Sequence, residues 1–437
     1  MILVYAPKVT SRLKYTLGLI FETLLGTGWE LTSDKDAFFA YNGNKINYSL
    51  DPSLGNELFI RSFGFLEKRG VQPLIPELKR IHDLPCLFPT EDKKCSIGFD
   101  VFSAVFFLVS RYEEYLPSHR DLHDRFLAEE SIAFNYGFLH LPLVDHYALL
   151  IKKKLVSKFA NIDFATREYR FIPTYDIDVA YAYLGRGFFR GIGATLRSLF
   201  NLHLVEIKER AEVFFGKKKD PFDTYDFQLE IHKKFNLRAF YFFLCGDYGP
   251  FDRNISVFST VFHNLVKKIS DYAFTGIHPS YGSNQYPEKL STEVARLSNI
   301  LKRDIRFSRQ HFLKMELPDT YRNLIRNNIT NDFTMGYATQ PGFRASIASP
   351  FFFYDLQREE ITSLKIFPFI VMDGTLRDYL GLNPGQAIEK IEKLIDTVRE
   401  VDGTFISLWH NDSLSECNGW EGWRQVYEYL VERAAKK

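Results

Sequence analysis

The sequence has few cysteines, no strong excess of either charge and no long apolar run. Only 4 of its 437 residues are cysteine, and none of the spacings between Cys86, Cys95, Cys245 and Cys417 is CxxC. This scarcity argues against a disulfide framework and against a cysteine-type zinc site, and it fits a reducing compartment. The formal net charge is only +1, so the chain lacks the basic field of a typical nucleic-acid-binding protein.

Membrane insertion is not expected either. The most apolar run, Val101 to Ser110, is far shorter than the roughly 20 residues that a membrane-spanning helix needs. The N-terminal residues MILVYAPKVTSRLKY lack the charged leader, long apolar core and cleavage site of a signal peptide. We therefore expect a cytoplasmic protein with no transmembrane segment.

The length predicts two domains, because 437 residues exceed what one hydrophobic core usually organises. Residues 1–165 mix short strand and helix patterns, and we expect a smaller α+β domain there. Its strongest helical pattern is FDVFSAVFFLVSRYEEYL, residues 99–116, which ends before Pro117. His119 and His123 have the i, i+4 spacing of a metal pair, but no third ligand is evident, and we interpret them as solvated residues.

Residues 166–437 form the second predicted domain, where strand patterns alternate with helical ones. This alternation indicates a parallel sheet, and about seven strands of this kind are typical of a (β/α) barrel. The predicted strands are REYRFIPTY, NLRAFYFFL, DYAFTGI, RDIRFS, FTMGYA, LKIFPFIVM and GTFISLW. A basic stretch over residues 186–219 interrupts the pattern. We interpret it as a helical insertion that covers the barrel, with peripheral contact to a membrane surface or partner as the alternative.

Polar residues that could take part in catalysis or metal binding follow the ends of several predicted strands. In a parallel barrel these ends open onto one face, which is the face that carries active sites. Acidic, basic and imidazole groups gathered in this way favour a functional cluster over isolated turn residues. The residues are Asp176, Asp178, His278, Arg309, His311, Asp373 and His410, and Arg344 lies in the turn-like segment QPGFRAS.

The segment Asp176-Ile177-Asp178 places two carboxylates on the same side of one strand, because strand residues i and i+2 share a face. Two carboxylates that close need a compensating cation, which is either a divalent metal or an arginine. Mixed Asp and His ligation suits a hard or borderline metal. A glycosidase pair would also use two carboxylates, but it would leave the histidines without a role.

These motifs resemble those of the polysaccharide deacetylases, carbohydrate esterase family 4, and are most similar to a divergent branch with a separate N-terminal domain. The resemblance rests on TYDID, on His278 after a strand, on a later arginine and on LWH near the C-terminus. It implies a distorted (β/α) barrel that acts on a carbohydrate. It also implies that Asp176 is the general base, and that Asp178 and His278 bind the metal.

The resemblance assigns the remaining roles by chain order. Arg309 would orient the base, with Arg344 as its competitor, and His410 would be the general acid. Residues beside these motifs are expected to contact the substrate, with aromatic rings stacking on a sugar. This expected substrate-binding set is Ser280, Tyr281, Trp409 and Asp373.

The sequence departs from the family pattern at Gly282, where the family has a second metal-binding histidine four residues after the first. Glycine has no side chain to bind a metal. Either His311, two residues beyond Arg309, completes an Asp-His-His set, or the metal site is degraded. We favour the first alternative, with a divalent metal, zinc above others, as the cofactor.

The expected function is therefore the metal-dependent removal of N- or O-acetyl groups from a carbohydrate. One alternative is a catalytically inactive barrel that has lost its metal and only binds a glycan. Another is a metal-dependent hydrolase that cleaves an amide or ester of a non-sugar substrate, since one fold hosts many activities.

Overall fold

A computed structural model of the protein describes residues 1–52, 55–81, 83–185 and 204–436. The basic stretch predicted as an insertion over residues 186–219 falls only partly within these ranges. Residues 186–203 lie outside the described residues, and a helix spans Leu204–Phe214. We still only predict that this stretch covers the barrel, with contact to a membrane surface or partner as the alternative.

The N-terminal region contains a parallel sheet whose strands have the spatial order β2-β1-β3-β4. Every residue of the central strand β1 is buried, as expected for the wholly apolar run ILVY. A separate antiparallel hairpin follows the sheet. The strands are β1 Ile2–Tyr5, β2 Trp29–Thr32, β3 Asn44–Ser49, β4 Leu58–Arg61, β5 Leu78–Ile81 and β6 Leu84–Leu87.

The helices of this region pack against the sheet. They are α1 Ser11–Leu17, which continues as a π-helical turn over Gly18–Leu24, α2 Lys35–Ala40, α3 Val101–Val109, α4 Ile132–Asn135 and α5 Leu143–Lys158. Helix α3 is buried on all sides, and the Asp100 carboxylate caps its start by accepting from the Ser103 backbone N–H. It ends earlier than predicted, because Arg111 adopts a left-handed φ of 54° and a 3₁₀ turn follows.

The C-terminal region is built on one curled sheet of nine strands, in the order β12-β13-β11-β10-β9-β8-β7-β15-β14. All neighbours in this sheet are parallel except β12 and β13. The strands are β7 Arg170–Ile177, β8 Phe240–Leu244, β9 Phe274–His278, β10 Phe307–Ser308, β11 Asn331–Asp332, β12 Phe351–Asp355, β13 Glu360–Ile366, β14 Val371–Met372 and β15 Thr404–His410.

Helices connect most of these strands and pack on the outside of the sheet. They are α6 Leu204–Phe214, α7 Tyr225–Lys234, α8 Thr260–Ser270, α9 Glu288–Leu301, α10 Asp319–Arg326, α11 Pro384–Arg399 and α12 Trp423–Ala435, with a π-helical turn over Thr375–Tyr379. Short 3₁₀ turns occur at Phe65–Glu67, Tyr112–Tyr115, Ala128–Glu130, Tyr281–Ser283, His311–Leu313 and Asp412–Leu414. No helix within the described ranges combines the length and apolar character needed to cross a bilayer.

The strand count corrects the prediction of about seven strands, since the sheet has nine. The predicted strand LKIFPFIVM divides into β13 and β14, because Pro368 lacks the N–H that a continuous ladder needs. FTMGYA is not a strand. The chain turns just before it, where the Asp332 carboxylate accepts from the backbone N–H and the hydroxyl of Thr334. In the described part of the chain the edge strands β12 and β14 do not pair, so the curled sheet is open.

Successive residues of each inner strand face opposite sides of the sheet. This alternation decides which side chains reach the mouth of the sheet, the open end that the C-terminal ends of the strands form. On β8, Phe242 belongs to a small cluster inside the curl, whereas Tyr241 and Phe243 pack outside it under the helices. The inner cluster also contains Leu313, Phe333, Ala338, Phe369, Met372, Ile406 and Leu408. The inside of the curl is therefore filled by side chains below its mouth.

The N-terminal region packs on the open edge and on the loops of the large sheet. The Tyr15 hydroxyl donates to the carbonyl oxygen of Phe352 in β12 at 2.7 Å. The Arg12 guanidinium donates from Nε to Glu359 Oε2 at 2.9 Å. A continuous hydrophobic cluster extends through both regions, so the two regions share a packed interface.

Candidate active site and metal centre

Two aspartates from β7 reach the mouth of the curled sheet. Tyr175 and Ile177 point outwards into the main hydrophobic cluster, so the alternating residues Thr174, Asp176 and Asp178 face inwards. Asp176 is almost fully buried, whereas 31% of the Asp178 side chain is exposed. One carboxylate therefore lies below the mouth and the other lies at it.

The inner carboxylate is paired with an arginine from the end of β10. Arg309 Nη1 donates to Asp176 Oδ1 at 2.9 Å, and both side chains are buried. The remaining donors of the guanidinium are also used, Nη2 by the Thr174 hydroxyl and Nε by the carbonyl oxygen of Phe333. Burial lowers the pKa of Arg309, and Asp176 opposes that shift. This network holds Asp176 in one orientation and supplies the cation that the paired aspartates require.

His278 presents a lone pair to the outer carboxylate. Its Nδ1–H donates to the backbone carbonyl oxygen of Arg309 at 2.5 Å, which fixes the tautomer. Nε2 then carries the lone pair, and it lies 3.0 Å from Asp178 Oδ1. A carbonyl that holds Nδ1–H while Nε2 stays open is typical of a metal-binding histidine.

His311 approaches the same carboxylate from the turn after β10. Its Nδ1 lies 2.9 Å from Asp252 Oδ1, and its Nε2 lies 3.4 Å from Asp178 Oδ2. Burial lowers the pKa of His311, but the charges and hydrogen bonds of Asp178 and Asp252 outweigh it and raise that pKa to about 9. The Nε2 atom of His311 therefore faces a carboxylate oxygen, in surroundings that favour a proton or a metal ion at this nitrogen.

These three residues fit a metal ion. One ligand atom from each of Asp178, His278 and His311 lies within 4.8 Å of the other two. Asp178 Oδ1 is buried, and it has no hydrogen-bond partner within the described ranges. Burial raises the pKa of Asp178, but the two histidines outweigh it and hold that pKa well below its usual range. An ionised carboxylate facing two imidazole nitrogens is a suitable donor set for zinc, whose catalytic sites have three protein ligands and an open position.

A third imidazole, that of His410, also lies near Asp178 and is paired with a carboxylate of its own. His410 is the last residue of β15 and makes two contacts with the buried Asp373 carboxylate. Its backbone N–H donates to Asp373 Oδ2 at 2.7 Å, and its Nδ1 lies 2.8 Å from Asp373 Oδ1. Its Nε2 lies 3.7 Å from Asp178 Oδ2. Burial lowers the pKa of His410, but Asp373 and the other two carboxylates raise it well above its usual value. His410 is therefore an oriented imidazole whose surroundings favour its protonated form, with Nε2 at the mouth.

Two of the residues predicted to act at this site lie elsewhere. Arg344 does not contact Asp176, because its guanidinium forms a buried bidentate pair with Glu114 of the N-terminal region, with N–O distances of 2.9 and 2.7 Å. Trp409 is fully buried with its ring 5.2 Å from that of Tyr427 in α12. It adjoins the inward-facing His410, so strand alternation turns it away from the mouth. It cannot stack on a sugar.

Two further residues predicted to contact the substrate are buried behind the mouth. Ser280 is 4% exposed, and its backbone N–H donates to Glu293. Asp373 is fully buried beneath His410 and orients that imidazole. A side chain built at Gly282 would first meet the ammonium group of Lys289, at 3.0 Å from Cβ.

Tyr281 alone of the predicted substrate-binding residues reaches open space. Its ring stacks on Phe251 with 4.3 Å between centroids, and it borders a cleft of about 500 Å³ whose lining includes Gln310, the residue before His311, but none of the three candidate metal ligands. The lining of the cleft is mostly polar and includes Asn284, Gln310 and Lys314. The N-terminal region reaches its rim through Asp124.

Sequence reasoning missed the partners that support the ligands. Asp252 lies in the loop after β8 and joins His311 Nδ1 to the backbone N–H of Tyr281. An acidic residue after a predicted strand was the available signal for it.

His123 and Arg125 of the N-terminal region also contact this side of the mouth, whereas 87% of the His119 side chain is exposed beside Glu130. The spacing of His119 and His123 therefore does not correspond to a metal pair.

Comparisons with known proteins give a family match for the N-terminal region only. The model of a family of unknown function (DUF7033) matches residues 2–160. No curated protein matches the chain.

Solved structures match about three-fifths of the chain at low identity. A polysaccharide deacetylase from Mycobacterium smegmatis, so described provisionally, has 13% identity and a TM-score of 0.41, with 61% of this chain and 85% of that chain covered. A CE4-family pseudoenzyme from Bacillus anthracis has 13% identity and a TM-score of 0.30, with coverage of 61% and 62%. A polysaccharide deacetylase from Bacillus cereus has 10% identity and a TM-score of 0.29, with coverage of 61% and 86%.

Proposed function

We propose that the protein is a metal-dependent hydrolase that removes N- or O-acetyl groups from a carbohydrate. The observation that carries this proposal is the arrangement around Asp178. The candidate ligand set of Asp178, His278 and His311 is accompanied by a buried carboxylate–arginine pair, which lies 3.8 Å from His278, and by an oriented histidine–carboxylate pair, which lies 3.7 Å from Asp178. A ligand set flanked by a base and an acid is the arrangement that metal-assisted hydrolysis requires.

Zinc is the ion that the donor set favours, and Asp178, His278 and His311 would hold it. When bound, such an ion supplies Lewis acidity, which polarises a carbonyl oxygen and makes water a better nucleophile at neutral pH. Asp252 and the carbonyl oxygen of Arg309 keep the two imidazoles in the tautomer that exposes Nε2.

Asp176 acts as the general base. It lies next to the candidate ligand set, with Oδ2 3.8 Å from His278 Nε2. It removes a proton from the water that attacks the acetyl carbon. Arg309 occupies the other oxygen, Oδ1, at 2.9 Å. The guanidinium therefore leaves Oδ2 as the oxygen that accepts the proton.

His410 acts as the general acid. Because Asp373 contacts Nδ1 of His410, the proton that can be transferred is the one on Nε2, at the mouth. His410 donates this proton to the leaving nitrogen or oxygen as the bond from that atom to the acetyl carbon breaks. Acetate and a free amine or hydroxyl group are then released.

The cleft beside Tyr281 supports a carbohydrate substrate. Its volume of about 500 Å³ is within the range of small-molecule sites. Amide and ammonium side chains offer hydrogen bonds to hydroxyl groups, and the ring of Tyr281, which is stacked on Phe251, offers an aromatic surface. We assign catalysis to residues 166–437, and we treat residues 1–165 as a separate domain.

The test is acetate release from acetylated sugars by the full chain. Chitin oligosaccharides supply N-acetyl groups and acetylated xylan supplies O-acetyl groups. Each is assayed with zinc-loaded protein, with chelator-treated protein and with Asp176→Asn. We expect acetate release from one of these substrates that requires the metal and is lost in the variant.

Two outcomes would overturn the proposal. Zinc-loaded protein that binds the sugars without releasing acetate would indicate a glycan-binding barrel. Release of acid only from simple amides or esters that lack a sugar would indicate a hydrolase for a different substrate.

A further inference from the structure

The turn that carries His311 has an unusual backbone. The two residues after it, Phe312 and Leu313, both have left-handed φ angles, of 59° and 55°. Bulky side chains rarely adopt this conformation, and it persists only where the surrounding structure enforces it. The candidate ligand His311 therefore depends on whatever holds this turn.

A side chain from the N-terminal region holds it. Arg125 donates from Nη1 to the backbone carbonyl oxygen of Phe312 at 2.9 Å and from Nη2 to the Tyr379 hydroxyl at 3.2 Å. Arg125 is itself 8% exposed. It therefore bridges the turn and the segment after β14.

Asp121 fixes the orientation of the Arg125 guanidinium. Asp121 Oδ2 accepts from Arg125 Nε at 2.7 Å, and Asp121 Oδ1 accepts from the backbone N–H groups of His123 and Arg125 at 2.9 Å. A backbone bridge between Arg120 and Phe126 closes this segment. We call residues 120–126 the clamp loop.

The clamp loop makes a second contact with the same turn. The ring centroids of His123 and Phe312 are 4.8 Å apart, and His123 Nδ1 lies 3.3 Å from the Tyr281 hydroxyl. Asp252 fixes the other side of the turn through Nδ1 of His311. His311 is thus held at its imidazole by Asp252 and at its backbone N–H by the carbonyl oxygen of Pro279, whereas the N-terminal region holds the next residue, Phe312.

We propose that the N-terminal region completes the metal centre, and that Arg125 is a positioning residue for the ligand His311. This inference rests on the proposed function, because it takes Asp178, His278 and His311 as a metal site. The C-terminal region supplies all three ligands, but the left-handed turn presents the third one correctly only while the clamp loop is in place. The N-terminal region thereby gains a role in metal binding as well as in packing.

The test measures zinc affinity of the full chain by competition with a chromophoric chelator. The variants are Arg125→Met, Arg125→Lys and His311→Ala. The matched control is Arg120→Met, because Arg120 belongs to the clamp loop but donates to Glu114 rather than to the turn. Loss of a residue that orients a metal ligand typically weakens metal affinity roughly 10- to 100-fold. We expect Arg125→Met to weaken zinc binding at least about 10-fold, and Arg120→Met to bind like the wild type.

The visible absorption of the cobalt-substituted protein reports the geometry of the metal ligands, which a change in packing alone would not alter. Arg125→Met should change the visible absorption of bound Co²⁺ in the direction of His311→Ala, and Arg120→Met should leave it unchanged. If Arg125→Met does not fold, Arg125→Lys decides. Lysine keeps the charge but cannot reproduce the planar fork that reaches Asp121 and Phe312 together, so its zinc affinity should also fall.

The outcomes separate this inference from the function that it rests on. A wild-type protein that binds no zinc would overturn the proposed metal site and, with it, the role of Arg125. Zinc binding that is lost in His311→Ala but unchanged in folded Arg125→Met, or in Arg125→Lys where Met does not fold, would overturn the role of Arg125 alone.

Discussion

The imidazole rings of His278 and His311 lie 4.9 Å apart, although His278 ends strand β9 and His311 lies in the turn after β10. Both present Nε2 to Asp178, at 3.0 and 3.4 Å from its two oxygens. The position four residues after His278 is Gly282, so the second histidine of the candidate centre comes instead from the turn that follows the neighbouring strand.

The first prediction is that His311 and His278 contribute equally to metal binding. His311→Ala and His278→Ala should each reduce bound zinc to well below one ion per chain, because either change leaves two protein ligands where catalytic zinc normally has three. Metal analysis after dialysis measures the content. His119→Ala is the matched control, since 87% of the His119 side chain is exposed. A zinc content in His311→Ala equal to that of this control would assign His311 to the rim of the mouth instead.

The second prediction separates chemistry from metal binding. Asp176→Asn should lower kcat by roughly 10²-fold or more, which is the usual scale for a general base. It should still bind zinc, since Asp176 contacts Arg309 and is not proposed as a ligand. Steady-state kinetics of acetate release and metal analysis are made on the same preparation. Asp247→Asn, which alters a carboxylate whose side chain is 80% exposed, should retain wild-type kcat. Full activity in Asp176→Asn would give the role of base to another residue.

The third prediction concerns the pH dependence of catalysis. Burial lowers the pKa of His410, but Asp373 and the other carboxylates raise it well above its usual value. A general acid must be protonated, so kcat falls as pH rises through this pKa. Asp373→Asn removes a negative charge and should shift the basic limb of the kcat profile to lower pH, in addition to lowering kcat. A basic limb at the same pH in both proteins would show that His410 is not the acid.

The fourth prediction concerns the stability of the interface between the two regions. Glu114 is paired with Arg344 and Arg111. Burial raises the pKa of Glu114, but these guanidinium groups outweigh it and lower that pKa to about 2. Breaking such a buried pair typically costs about 3–5 kcal/mol, so Glu114→Gln should lower the free energy of unfolding at pH 7 by that amount.

The pH dependence of this stability follows from the sign of the shift. The unfolded carboxyl has a pKa of about 4.3, so the ionised pair contributes fully above that pH and loses its contribution as pH falls towards 2. The difference between wild type and Glu114→Gln in urea unfolding should therefore narrow from pH 7 to pH 3. An equal difference at both pH values would show that the charge of Glu114 is not what stabilises the interface.

Strand periodicity predicts much of the mouth of the sheet and also explains one error. The two-residue period of a strand places Asp176 and Asp178 together, and it places His410 inwards with Leu408. The same period turns Trp409 outwards, so its predicted contact with the substrate conflicts with the alternation that places His410 at the mouth. The extra strands were harder to predict, because β11 and β14 are too short to have a period. The five-residue strand β12 pairs antiparallel with β13 and lies outside the strand–helix alternation from which the other strands were predicted.

Contacts between distant parts of the chain could not be read from the sequence. Arg344 and Arg309 both follow strand-like segments, so the sequence alone does not show which of them pairs with Asp176. In the folded chain Glu114 lies beside Arg344 and pairs with it, whereas Arg309 pairs with Asp176. The clamp loop contacts the His311 turn through Arg125. Nothing in the spacing of SHRDLHDRF indicates that contact, because the partner is a backbone carbonyl and the turn is held by tertiary structure rather than by glycine.

The most direct test of the metal centre is anomalous diffraction from crystals of the zinc-loaded protein, collected on both sides of the zinc absorption edge. We expect one strong anomalous peak per chain, from an ion bound by an Asp178 oxygen and by Nε2 of His278 and of His311. Strong peaks elsewhere, with none between these three side chains in a protein that remains folded, would contradict this expectation.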